Sequence, residues 1–138
     1  MSAKDTFHNA VRSALEKDNW TITHDPLRIK TEDIELYVDL GAERIIAAQK
    51  SGQKIAVEIK SFLGTSAVSE FYIALGQTLT YRTALRIEQP NRILYLAISW
   101  DTYRDFFIRK LIQDVIAEHQ IKLLIFDPVT KEVLLWKE

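Results

Sequence analysis

The chain has 138 residues, 18 basic and 19 acidic, with 47% hydrophobic residues, four Gly, three Pro and no Cys. That balance describes a single globular domain over residues 1–138 and excludes fibrous, disordered and disulfide-scaffold classes. A net charge of −1 excludes a broad electrostatic track for nucleic acid, so any such role needs a small footprint, a locally basic surface or a partner.

At the start, Ser2 to Asp5 resembles a capping box, and Phe7, Val11, Ala14 and Leu15 follow at helical spacing. The helix is expected to end near Asp18 and Asn19, because Trp20 to Thr23 favours a strand. His24-Asp25-Pro26 reads as a turn. From Leu27 to Phe62 the pattern is that of strands. Ile34, Leu36 and Val38 alternate with Glu35 and Tyr37, Ile45 to Ala48 is short and apolar, and Lys50 to Gln53 is a hairpin turn into Lys54–Lys60.

Thr65 or Ser66 can cap a long helix whose predicted core stripe is Val68, Phe71, Tyr72, Leu75 and Leu79. Pro90-Asn91 ends it, and Ile93–Ile98 has the unbroken apolar character of a strand inside a sheet. Asp101 is placed to cap a third helix, with Phe107, Leu111, Ile112 and Val115 facing inward. Two strands, Ile121–Phe126 and Glu132–Trp136, close the chain around an Asp127-Pro-Val-Thr turn as a C-terminal hairpin. The architecture that buries all these faces is α/β, a mixed central sheet flanked by helices. No apolar run approaches the ~20 residues of a membrane span, and the opening lacks a signal peptide's apolar block. The expectation is a cytoplasmic protein with no membrane contact.

The chemically informative stretch is Ile55–Lys60. Alternation sends Ile55, Val57 and Ile59 to one face and Ala56, Glu58 and Lys60 to the other, with Glu58 and Lys60 roughly 7 Å apart along the strand. A charge buried there demands a partner or a metal. Asp39 is a second carboxylate, one hairpin earlier, able to lie beside Glu58. Two carboxylates next to a lysine suit phosphodiester hydrolysis: hard oxygen ligands hold Mg²⁺ or Mn²⁺, and Lys60 stabilises developing charge. On the following helix, Glu70, Gln77 and Tyr81 share a face, and Gln77 can orient phosphate, water or Lys60. Asp5 and His8 are candidates for outer support. Taken singly, Glu58/Lys60 is more often a solvated cross-strand ion pair, Asp39 a turn residue, Gln77 and Tyr81 an exposed helix face, and His8 a packed histidine. No Gly-rich phosphate loop or His-x-x-x-His zinc spacing is present. The joint occurrence of Asp39, Glu58-x-Lys60 and Gln77-x-x-x-Tyr81, in that order, carries the active-site expectation.

That joint pattern resembles the PD-(D/E)xK nuclease superfamily, although Val38 stands where its name places proline. The resemblance implies a restriction-endonuclease-like core in αβββαβ order. Asp39 takes its first acidic position, Glu58 and Lys60 its second motif, and Gln77 with Tyr81 its Q-x-x-x-Y element. Asp39–Glu43, Ile55–Phe62, Ala74–Gln77 with Tyr81-Arg82, and the opening Ala3–His8 followed by Asp25–Leu27 are similar to the XisH family over essentially the whole chain. Members are described as fdxN element excision controlling factors of cyanobacteria. This similarity implies a part in controlling DNA excision by a site-specific recombinase, with DNA and a sister protein, XisI, as partners. Two functions follow from it: a Mg-dependent DNA endonuclease, or a non-catalytic accessory factor that keeps the fold. Family analogy also implies a homodimer for cutting two strands.

Overall fold

In the computed structural model, the described residues are 5–44 and 52–138. The chain runs α1 (His8–Lys17), β1 (Thr21–His24), β2 (Leu27–Lys30), β3 (Glu35–Val38), β4 (Leu40–Arg44), β5 (Gln53–Ile59) and α2 (Ala67–Glu88). It continues through β6 (Arg92–Ser99), a helical turn α3 (Trp100–Thr102), a π-helical turn (Tyr103–Phe107), α4 (Lys110–Glu118), β7 (Leu123–Asp127) and β8 (Glu132–Lys137). Six strands form one sheet in the order β1-β4-β5-β6-β7-β8, while β2 and β3 pair separately as an antiparallel ribbon. The inner strands β5, β6 and β7 are parallel, and the outer pairings are antiparallel. This is the mixed sheet the sequence leads one to expect.

Strand alternation sorts the core into two faces. Ile55, Val57 and Ile59 of β5 join Tyr95, Ala97, Leu124 and Phe126 beneath Val11 and Leu15 of α1. On the other face Leu96, Ile98, Leu123 and Ile125 pack against Phe71 and Ala74 of α2, Ile112 and Ile116 of α4, and the ring cluster of Phe106 and Phe107. A third group, Leu27, Ile29, Val38, Ala56, Ala84, Leu85 and Leu94, seats the β2–β3 ribbon against the far half of α2. Each fully buried side chain of this size contributes about 1.5–3 kcal/mol. Between the second and third groups β5 presents Glu58, which is only 4% exposed.

The helices depart from the sequence pattern in three places. Helix α1 begins at His8, and Asp5 accepts a hydrogen bond from Phe7 N (2.9 Å); the other part of the expected capping box, Ser2 to Lys4, lies outside the described residues. The stripe expected on α2 is rotated. Phe71, Ala74, Thr78, Ala84 and Leu85 are buried, whereas Val68 and Tyr72 are exposed. Ile73 and Ile87 are exposed as well, so apolar residues lie on more than one side of α2 and periodicity cannot fix its phase. The third helix is divided. Ser99, not Asp101, caps its first turn by accepting from Thr102 N (3.2 Å), a π-helical turn follows, and Arg109 is extended before α4 restarts. The extra residue of a π turn shifts the helical phase, so Phe106, Phe107 and Ile112 are buried while Leu111 points outward. The apolar run Ile45–Ala48 falls outside the described residues, as do Lys50 and Ser51 of the expected hairpin turn.

Candidate active site at a carboxylate pair

Two strand ends bring the central residues together. Asp39 is the single residue between β3 and β4, where the chain leaves the ribbon and enters the main sheet. The β4–β5 register pairs Leu40 with Val57, which places Asp39 across from Glu58. Hydrogen bonds lock this crossing from both sides. Ile59 N donates to Asp39 Oδ2 (2.8 Å), and Asp39 N donates to Glu58 Oε1 (3.3 Å). Each carboxylate is therefore aimed by the backbone of the other strand.

The electrostatics are those of an unbalanced pair. Glu58 is pushed up to about 8, first by burial and then by the neighbouring Asp39 charge; Lys60 offsets this only in part. Two carboxyls brought this close cannot both ionise freely, so a proton is favoured on Glu58. Lys60 Nζ stands 3.6 Å from Glu58 Oε2, and its side chain is 25% exposed. It is near enough to attract but too far for a direct hydrogen bond. A proton on Glu58 or an added cation would complete the charge balance. Two anionic oxygen donors of this kind fit a hard divalent ion. Among the described residues no group of three or more His, Asp or Glu side chains gathers at one point, so the acidic set is a pair.

Helix α2 supplies the next ring. Tyr81 is half-buried, and its hydroxyl is pushed up to about 12 by burial and then by the charges of Glu58 and Asp39, so it lies within their field. Gln77, one turn earlier on the same face, is partly buried, and its Oε1 has no hydrogen-bond partner among the described residues. The rotated phase of α2 thus turns Gln77 and Tyr81 towards the packed side instead of leaving them on an exposed face. Glu70 does not join them. Its Oε2 accepts from Gly64 N (3.1 Å) and pins the loop before the helix.

Asp5 and His8 separate. Asp5 Oδ2 accepts from Ser61 N (3.0 Å), immediately after Lys60, while Oδ1 takes Phe7 N. It ties the start of the chain to the end of β5. His8 is buried elsewhere: its Nε2 meets Asp25 Oδ1 at 2.7 Å, and Arg12 Nη1 meets Asp25 Oδ2 at 2.5 Å. Sequence reasoning overlooked Asp25 and Arg12 as the partners of His8, and it also overlooked the strand amides that aim Asp39 and Glu58. The i, i+4 spacing of His8 and Arg12 on one helix was the available signal for the first.

A family model described as XisH protein matches residues 1–134. Two crystal structures are similar over nearly the whole chain. One is an XisH family protein from Nostoc punctiforme PCC 73102, with 47% identity and a TM-score of 0.89, covering 97% of this chain and 100% of that one. The other is an fdxN element excision controlling factor protein from Anabaena variabilis, with 43% identity and a TM-score of 0.88, covering 98% of this chain and 100% of that one. Comparison with curated proteins gives no match.

Proposed function

The chain belongs to the XisH family, and from that membership we propose a factor that controls DNA excision through a nuclease-like metal site. The observation that carries the proposal is the buried Glu58 set against Asp39, with Lys60 at 3.6 Å. In this reading β3 to β6 and α2 form a restriction-endonuclease-like core of the PD-(D/E)xK type. Asp39 and Glu58 hold Mg²⁺ or Mn²⁺ through carboxylate oxygens, the donor type such ions require. The bound ion supplies Lewis-acid activation of water for phosphodiester hydrolysis. Lys60, whose side chain is part-exposed while Glu58 is buried, faces the phosphate and stabilises the charge that develops on it. Gln77, with its free amide oxygen, orients the attacking water, and Asp5 fixes the backbone just past Lys60.

A second reading has one observation in its favour. The net charge of −1 is weak for a protein that grips DNA alone. The alternative is a non-catalytic accessory factor that keeps the fold and docks DNA and an XisI-like sister protein. A homodimer, which would bring two sites to two strands, belongs to the first reading. Among the described residues no helix is long and apolar enough to cross a membrane, and we place either action in the cytoplasm, with DNA.

The test is cleavage of supercoiled plasmid and of branched DNA in Mg²⁺ or Mn²⁺, with and without the sister protein, comparing wild type with Lys60→Ala. Metal-dependent nicking by wild type that is lost in the variant supports the enzyme. Equal behaviour of the two proteins, with no metal bound by wild type, leaves the accessory factor.

A further inference from the structure

Away from the carboxylate pair, two hollows of about 150 and about 660 Å³ adjoin at the opposite end of the sheet. They share Arg82 and Arg86 of α2 and Lys122 before β7, and Arg92 lines one and Lys137 the other. Glu138 is the one carboxylate in either lining, and it is already bonded to the Tyr95 hydroxyl. Five of the protein's 18 basic residues thus meet one of its 19 acidic residues. A chain that is nearly neutral overall is strongly basic here.

Three of these five cations are left for a ligand: Arg92 is buried and faces Glu43 (3.9 Å), and Lys137 Nζ donates to the Tyr103 hydroxyl (3.0 Å). Arg82, Arg86 and Lys122 form no ion pair among the described residues. Arg82 Nη1 donates to the carbonyls of His119 (2.6 Å) and Gln120 (3.1 Å), just past the end of α4. This holds its guanidinium in place before any ligand arrives. Arg86, one turn on, is exposed. The register pairs Glu58 with Leu96, four residues beyond Arg92, so the groove starts about 13 Å from the carboxylates along the strand.

We infer that this groove binds the phosphate backbone of nucleic acid, as a docking surface distinct from the carboxylate pair. Its chemistry selects that occupant. Arginine and lysine in a polar hollow match phosphate oxygens. Protein hot spots need large exposed aromatic or apolar anchors, and here Leu85, Leu94, Ile116 and Ile121 are buried, leaving Ile93, Pro90 and the small Ala117 as the exposed apolar lining. A localised patch of this kind is how a nearly neutral domain engages a polyanion. The inference rests on the proposal that the chain acts on DNA, but not on hydrolysis.

The experiment is binding of a labelled duplex of about 20 base pairs to the full chain in EDTA, across about 50 to 200 mM salt. Arg86→Glu/Lys122→Glu is compared with Lys110→Glu/Lys131→Glu, which carries the same charge change outside the groove, and circular dichroism checks that both fold. Loss of two phosphate contacts lowers the salt slope by about 1.8, so wild type loses about tenfold more affinity over that range than the groove variant. The control keeps the wild-type slope. A groove variant that matches the control overturns the inference, as does polyglutamate competing better than DNA, which would mark an acidic protein partner. Groove binding with no cleavage under any metal leaves this inference standing and removes the catalytic proposal. Cleavage with unaltered groove-variant binding does the reverse.

Discussion

Two buried clusters on this small protein use the same residue types to different ends. In the first, Asp25 has both oxygens held, one by His8 and one by Arg12, and the guanidinium balances its charge. In the second, Asp39 and Glu58 bring two carboxyls together against a single ammonium that does not reach hydrogen-bonding distance. Burial alone does not distinguish them, since His8 is 3% and Glu58 4% exposed. Charge balance does. A closed, charge-balanced cluster ties α1 to the β1–β2 turn through Asp25, whereas an open one, short of positive charge, can take up a cation.

The largest expected effect breaks the comparison at Glu58. Its folded-state value lies above the ordinary 4.5, at about 8, so the folded protein holds a proton that the unfolded chain has released. The resulting stability is complete below about pH 4.5 and is lost as pH rises through about 8. The full swing is of order 5 kcal/mol. In Glu58→Gln, urea unfolding followed from pH 5 to 9 should lose most of that fall, and above about pH 8 the variant should be the more stable protein. An unchanged profile would mean that Glu58 is ionised in the folded protein at these pH values and is not the source of the fall.

The next effect concerns rate. If the open cluster is catalytic, Lys60→Ala reduces plasmid nicking by about a hundredfold or more, and Arg12→Ala leaves the rate within about twofold of wild type. Equal losses would show that the two clusters work as one. The smallest effect sharpens the closed side. Asp25→Ala removes the partner of both His8 and Arg12 and costs about 2 kcal/mol in urea, with no change in divalent-metal binding. A cost below about 0.5 kcal/mol would show that the cluster adds nothing measurable to stability.

The open cluster was legible in the sequence because its signal is local. Strand alternation fixes which way Glu58 and Lys60 point relative to Ile55, Val57 and Ile59, and the β4–β5 hairpin fixes Asp39 opposite Glu58. The closed cluster was less legible, since His8 and Asp25 meet across a turn with no common period. Helix α2 misled for a different reason. Ile73, Tyr72 and Ile87 are apolar yet exposed, and its buried face includes Ala74 and Thr78, so size and polarity did not mark the inward side. The π-helical turn after Ser99 also left no compositional trace, and only its consequence, an exposed Leu111, reveals the shifted phase. The basic groove escaped because Lys122 joins Arg82 and Arg86 of α2 from a stretch well removed in sequence, in a chain whose charge totals nearly cancel.

The account stands most directly on whether Asp39 and Glu58 together form a site short of positive charge. Isothermal titration of Mn²⁺ into the protein near pH 7, repeated in two buffers of different ionisation enthalpy, reads both binding and proton release. The account predicts that Mn²⁺ binds with release of close to one proton, that Glu58→Gln abolishes both, and that Asp25→Asn changes neither. No binding by wild type, or the same binding and no proton release in wild type and Glu58→Gln, would contradict it.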